Sequence, residues 1–331
     1  MQIDFLTVFI AVLSLMVLAV PGFLLAKFKM LPQKAGEAIS TIVLYGCQPA
    51  LIFMSFQEHY RSDIAINILW VSLFTLVVHI IIWAIVSFII RNKDRDAKLS
   101  TARYASIFSN CGYMGLPFLQ TVFGDTGYGG EIIIYAAVVI AIFNLFNWTL
   151  GVYLFTGDKK DISLKKIVLN PTIISIVLGA IYFFAVRTPI VDLAEQGSNF
   201  QFVLQKILGS VSVIGDMVTP LALTVIGIRL ANISIKSLFT DKWAYIVCVL
   251  KLVVMSIVSM LTVAFLPVDI IVKYVIFFLL SMPCATSTTM FAIKFGGDGD
   301  SASVFVLLTT VLSILTVPLM YLLMSGVFVP L

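Results

Sequence analysis

Apolar tracts long enough to cross a lipid bilayer follow one another through nearly the whole chain, which leaves it few ways to fold. A helix needs about 20 apolar residues to cross the hydrocarbon. In lipid only helices and closed barrels satisfy every backbone group. Ten such tracts can be read, roughly 4–26, 36–56, 64–90, 102–123, 131–155, 170–187, 203–229, 243–266, 271–295 and 302–326. They lack period-two alternation, which excludes a barrel. The chain reads as an all-α polytopic membrane protein. Its residues are 60% hydrophobic and 11% charged, against about 45–50% and 25% in soluble domains. The tracts leave no room for a sizeable soluble domain, and a net charge of +4 argues against nucleic acid as a partner. The first tract follows Met-Gln-Ile-Asp without a basic start, so it reads as a span rather than a cleavable signal. The loop at 187–202 has room for a short interfacial stretch.

Basic residues set the orientation. The loops after spans 1, 3, 5, 7 and 9, with the adjoining span ends, hold Lys27, Lys29, Lys34, Arg91, Lys93, Arg95, Lys98, Arg103, Lys159, Lys160, Lys165, Lys166, Arg229, Lys236, Lys242 and Lys294. The alternate loops hold only Arg61, Arg187, Lys206 and Lys273, and Lys251 lies inside a span. This asymmetry puts the odd-numbered loops in the cytoplasm and both termini outside a plasma membrane, the inner membrane of a bacterium. The four cysteines (Cys47, Cys111, Cys248 and Cys284) lie in apolar tracts without Cys-x-x-Cys spacing. They imply neither a metal site nor disulfides.

Two tracts break in the same way. Span 4 carries Ser109-Asn110-Cys111-Gly112-Tyr113-Met114-Gly115-Leu116-Pro117, and span 9 carries Ser281-Met282-Pro283-Cys284-Ala285-Thr286-Ser287-Thr288-Thr289. Proline removes an N–H and clashes with the carbonyl four residues back. A half-helix is expected to start near Pro117, and another after Pro283. Paired interrupted helices are the best sequence pointer to a substrate site in a secondary transporter. The halves also align at an offset near 172. Cys111 meets Cys284, Phe118 meets Phe291, Gly124-Asp125 meets Gly297-Asp298, and Gln48-Pro49 meets Thr219-Pro220. Five spans per half is an odd number, so the second half enters with opposite polarity. The expectation is two five-helix inverted repeats, 1–155 and 170–331, joined by a short cytoplasmic linker at 156–169.

With inverted polarity the positive N-terminal ends of the two half-helices face each other near mid-depth. Flanking amides and hydroxyls then make a seat for a carboxylate. The substrate-binding candidates are Asn110, Gly112, Tyr113 and Pro117 in span 4, Asn144 and Asn147 in span 5, and Pro283, Ser287 and Thr288 in span 9. Thr309, Ser313 and Thr316 line one face of span 10, where interhelical glue is an equal reading. Ionisable residues inside the membrane are functional by default, so Asp216, Lys251 and His79 are the coupling candidates. A structural Asp216–Lys251 ion pair is the competing reading. Gly297-Asp298-Gly299-Asp300 fits the Gly-x-Gly-Asp pattern of intramembrane aspartyl proteases but falls in a turn, without a second aspartate at depth. No nucleophile–base pair, metal cluster or Walker A motif is present, so no enzyme activity is expected.

These residues resemble the auxin efflux carrier family, which includes bacterial organic-anion carriers and the plant PIN-FORMED proteins. The resemblance runs over essentially the whole chain. It is most specific in Ser109–Pro117 and in Thr219-Pro220-Leu221-Ala222-Leu223-Thr224-Val225-Ile226-Gly227, with Asn170-Pro171 and Thr316-Val317-Pro318-Leu319 in support. It implies ten helices with broken, crossing helices 4 and 9. It also implies a scaffold of spans 1, 2, 6 and 7 and a moving transport part of spans 3–5 and 8–10. The short central loop departs from the long plant carriers and favours a prokaryotic-type carrier, for which the resemblance implies small carboxylates such as malate or malonate; the anion is read as malate/malonate-like or auxin-like. The function expected is secondary transport of a small organic anion by alternating access. The alternative is a receptor that binds a carboxylate without moving it. No cofactor is expected beyond a coupling proton or sodium ion. The partners are the anion and the lipid bilayer, with a homodimer as an allowed assembly.

Overall fold

The computed structural model describes residues 4–32, 34–92, 94–124, 126–163, 165, 168–231, 241–264 and 268–328. Lys93, Asp125, Lys166 and Lys236 lie outside the described residues. Helix starts are written in the sequence as short polar caps, whose oxygens take up free N–H groups of the first turn. Asp4 caps α1 (Phe5–Lys27) through Thr7 N–H at 2.7 Å. Asp96 caps α4 (Ala97–Ile107) through Leu99 N–H at 2.8 Å. Asn170 caps α7 (Pro171–Ala185), whose proline sits where its missing N–H is harmless. Ser198, Asp241 and Asp269 do the same for α8 (Asn199–Asp216), α10 (Lys242–Ala264) and α11 (Ile270–Ser281). At the C-terminal ends, Gly157 (φ 64°) and Gly296 (φ 81°) take the left-handed conformation that stops a helix.

The remaining helices are α2 (Ala35–Ser55), α3 (Ser62–Ile89), α5 (Leu116–Phe123), α6 (Gly129–Thr156), α9 (Val218–Ala231), α12 (Ser287–Phe295) and α13 (Gly299–Phe328). One residue separates α8 from α9. A short 3₁₀ turn, Ile190–Leu193, occupies the loop expected to hold an interfacial stretch. Among the described residues there is no strand. Among the described residues, seven helical stretches are long and apolar enough to cross a membrane: α1, α2, α3, α6, the α8–α9 pair, α10 and α13. The fourth and ninth tracts are each divided in two, and α7 is a shorter apolar helix. Many large apolar side chains face outward, among them Leu6, Val17, Leu69, Phe88, Leu178 and Ile181. In lipid these are solvated, and the chain is a multi-pass membrane protein.

α1 and α9 pack closely along their length. Their approach is set by two glycines. A Cβ at Gly22 would run into the Thr224 carbonyl, and one at Gly227 into the Ala19 carbonyl. Small residues that let backbones meet are the usual cement between helices in lipid. The second half of α2 packs on α7 and α8, while α3 lies between α6 and α10. α13 touches α1, α4, α10 and α12. π-helical turns interrupt α2 (Val43–Cys47), α6 (Asn147–Gly151) and α10 (Val249–Val254), and another, Cys111–Gly115, leads into α5.

Candidate functional site

The two tracts that carry a polar, proline-containing cluster are the two that unwind. α4 ends at Ile107, and Phe108 is extended (φ −92°, ψ 121°). α11 ends at Ser281, and Met282 is extended (φ −60°, ψ 153°). The two stretches run antiparallel and form a single bridge at Ser109 and Cys284. Asn110 N–H donates to the Pro283 carbonyl at 2.8 Å, and Ala285 N–H to the Phe108 carbonyl at 2.9 Å. Cys284 N–H donates to the Thr309 hydroxyl of α13 at 3.2 Å. The Ser109 hydroxyl donates to the Leu280 carbonyl at 2.9 Å. An unsatisfied backbone group in lipid costs several kcal/mol. Here each broken helix satisfies groups that the other leaves free.

The unwinding in the fourth tract lies upstream of its proline. Pro117 is buried near the start of α5, in a helical stretch that runs on without a gap from the π turn Cys111–Gly115. The α-helical half starts at Leu116, as expected, but the open backbone is at 108–110. In the ninth tract Pro283 sits in the gap itself. Gly115 lets α11 come close, since a Cβ there would meet Leu279 at 2.6 Å and Met282 at 3.2 Å. A Cβ at Gly112 would meet the Gln48 amide nitrogen at 3.1 Å, so buried Gln48 of α2 lies over the π turn.

Several side chains converge on this crossing. Asn110 is 3% exposed, and its Nδ2 has no hydrogen-bond partner among the described residues. The buried Ser281 hydroxyl also lacks one. Ser287, the first residue of α12, lies 3.0 Å from the Tyr104 hydroxyl, which in turn donates to Asn147 Oδ1. Arg229 Nη1 of α9 donates to the Thr286 carbonyl at 2.6 Å. Lys251 of α10 is fully buried, and its Nζ donates to the Ser109 hydroxyl and, at 3.1 Å, to the Leu280 carbonyl. Neither broken tract contains an Asp or Glu. Two cationic side chains and the N-terminal ends of two helical segments therefore meet with no carboxylate from these tracts, an arrangement that favours an anion.

Of the residues expected from sequence, Asn110, Gly112, Pro283 and Ser287 are at the crossing, and Asn147 is tied to it through Tyr104. Tyr113 is buried and turns to α2, donating to the Ser40 carbonyl at 3.2 Å. The Thr288 hydroxyl closes the turn onto the Ala285 carbonyl at 2.6 Å. Asn144 donates to Ile140 of its own helix at 2.9 Å and makes no bond to the break. Asp216 is exposed at the end of α8 and forms no ion pair with Lys251. His79 is buried, stacked on Phe146, with Nδ1 2.8 Å from the Thr75 carbonyl and Nε2 without a partner among the described residues. Asp298, in the protease-like Gly-x-Gly-Asp stretch, is a helix cap: it accepts from Ser301 N–H at 3.0 Å and the Ser301 hydroxyl at 2.7 Å. Tyr104, Gln48 and Arg229 were not singled out for the site by sequence reasoning. Arg229 reads as a loop charge, and no local signal marks Tyr104.

Ser109 and Asn110 are buried in this conformation. Cavities of about 280 Å³, between α2, α8 and the 189–191 loop, and about 240 Å³, between α3, α6 and α7, do not reach them.

A family model described as "Membrane transport protein" matches residues 7–164 and 159–321. The chain belongs to this family, the auxin efflux carrier family. Among curated proteins, an uncharacterized transporter of Methanocaldococcus jannaschii is 23% identical over 312 residues, covering 93% of this chain and 96% of the relative. A protein of Rhizobium meliloti named "Putative malonate transporter" is 26% identical over 321 residues, covering 92% of each. The auxin efflux carrier assignment thus spans both broken tracts and the helices that supply Arg229 and Lys251.

Proposed function

We propose that this member of the auxin efflux carrier family moves a small organic anion across the membrane by alternating access, with the carboxylate bound where the two broken tracts cross. The observation that carries the reading is the Asn110 amide, buried and unpartnered at a crossing that gathers positive charge and lacks carboxylates. A buried donor left unmade costs roughly 1–3 kcal/mol, and a carboxylate oxygen would remove that cost. Arg229, at the Thr286 carbonyl on the α9 side, is placed to meet a second carboxylate. The similarity to a malonate-named relative supports a dicarboxylate of that size. The protein is a carrier rather than an enzyme.

In this reading ten spans form two inverted five-helix repeats. The antiparallel bridge at Ser109 and Cys284 supports it, because the two breaks meet running in opposite directions. Spans 1, 2, 6 and 7 form the scaffold, and spans 3–5 and 8–10 move against it. The packing of α2 on α7 and α8, and of α1 on α9, is consistent with a scaffold of those helices. Both termini face outward from the plasma membrane. The test is flux of labelled malonate and of a monocarboxylate into proteoliposomes holding the purified protein. Saturable, protein-dependent malonate uptake supports the reading. A protein that binds malonate without moving it would be a receptor instead.

A further inference from the structure

Lys251 is the feature the carrier reading leaves unexplained. It lies on the π turn Val249–Val254, is fully buried, and makes no ion pair among the described residues. Burying an ammonium without a counter-ion is expensive. Spans 3, 4, 5, 8, 9 and 10, read as 64–90, 102–123, 131–155, 243–266, 271–295 and 302–326, hold one acidic residue, Glu131. Glu131 lies at the far end of α6, paired with Arg61. The groups that hold Lys251 are neutral oxygens: the Ser109 hydroxyl and the Leu280 carbonyl at 3.1 Å. Leu280 lies in the last turn of α11, so its carbonyl belongs to the negative end of that half-helix. Unwound backbone, hydroxyls and half-helix C-terminal ends are the donor set with which transporters of broken-helix architecture coordinate sodium.

We infer that the Lys251 ammonium occupies a monovalent-cation seat built from Ser109 and Leu280, so that the carrier holds a tethered cation where a coupling sodium would sit. Three observations fit together here. The oxygens are those of a cation site, the side chain is fully buried against them, and Ser109 is itself the bridge residue beside Asn110. A tethered cation does not leave with the substrate. It keeps the crossing positive in both outward- and inward-facing states, and transport needs no sodium. Asp216, exposed at the end of α8, has no part in this seat. The titratable groups facing Lys251 among the described residues are the thiols of Cys111 and Cys284 and buried His79, whose Nδ1 lies at the Thr75 carbonyl of its own helix.

The inference rests on the carrier reading, and its test separates the two. Malonate flux and thermal unfolding are measured for the purified full-length protein, in sodium chloride and in choline chloride at equal ionic strength. Wild type should show the same flux and unfolding midpoint in both salts. Lys251→Ala empties the seat. Its flux in choline should fall at least about tenfold, the usual scale of coupling between sites, and sodium should restore flux and raise its midpoint. Lys251→Met fills the same volume without charge and should be folded, inactive in both salts and blind to sodium. Sodium-stimulated flux or a sodium-raised midpoint in wild type would overturn the inference. So would a Lys251→Met protein as active as wild type. If wild type moves no anion at all, the carrier reading fails, and the unfolding measurement still decides whether the seat takes sodium.

Discussion

Replacing Tyr104 by Phe tests whether the crossing is held by a specific polar chain or merely by packing. The Tyr104 ring is fully buried against Phe108, Phe155 and Phe291, with centroids at 4.5, 5.3 and 5.3 Å. Phenylalanine keeps every one of these contacts and removes only the hydroxyl. That hydroxyl joins Ser287, at the start of α12, to Asn147 in the π turn of α6. Losing it abolishes two hydrogen bonds, one to each partner, and leaves Asn147 Oδ1 buried without its donor. A buried acceptor left unmade costs about 1–3 kcal/mol. Tyr104→Phe should therefore lower the thermal unfolding midpoint and reduce malonate flux. Tyr104→Phe with Asn147→Leu removes both partners, and an apolar pair of similar shape is close to neutral. The double variant should regain stability but not flux, because Ser287 stays unanchored. A single Tyr104→Phe variant with wild-type midpoint and wild-type flux would refute the claim that this chain of hydroxyl and amide groups organises the site.

Two further outcomes follow from the packing and the caps. Gly227→Ala places a methyl against the Ala19 carbonyl and the Phe23 amide nitrogen, so α1 and α9 must separate. Overpacking of this kind costs about 1–3 kcal/mol, and the variant should unfold at lower temperature in the same detergent, as read by intrinsic fluorescence. At Asp298 burial alone would raise the carboxyl pKa, but the Ser301 backbone and hydroxyl donors outweigh it and hold the group below the usual carboxylate value. A carboxyl whose pKa is depressed by folding stabilises above its unfolded pKa and loses that stability as pH falls through the folded one. Asp298→Asn should thus lower the unfolding midpoint at neutral pH, with the difference from wild type vanishing toward the acid end of a pH series.

The helices were legible because their signals are local. The apolar tracts mark them, and Asp4, Asp96, Asn170, Ser198, Asp241 and Asp269 each stand one residue before a helix and cap it. The two breaks were legible for the same reason: each carries a proline and a polar cluster at mid-depth, with Asn110, Gly112 and Gly115 in the fourth tract and Ser281 and the hydroxyls of 286–289 in the ninth. The exact place of the fourth tract's opening was not. Proline marks where an N–H is absent, and at Pro117 the helix runs on through it behind a π turn instead of opening there. The site's cross-links were illegible because they join distant segments. Tyr104 meets Ser287 and Lys251 meets Ser109 across 183 and 142 residues, and a buried tyrosine or lysine carries no spacing that names its partner. Lys251 and Asp216 illustrate the limit. Opposite charges in neighbouring spans suggest a pair, yet the lysine turns to neutral oxygens and the aspartate faces outward.

The central claim is that Asn110 at the crossing holds the anion. It is tested most directly by malonate uptake into proteoliposomes reconstituted with wild type, Asn110→Ala and Asn144→Ala. A hydrogen bond to a charged ligand is worth about 1.5–3 kcal/mol, so Asn110→Ala should reduce kcat/KM about 10- to 150-fold while remaining folded. Asn144→Ala, which loses only a bond to its own helix, should stay close to wild type. Wild-type kcat/KM in a folded Asn110→Ala protein would contradict the account.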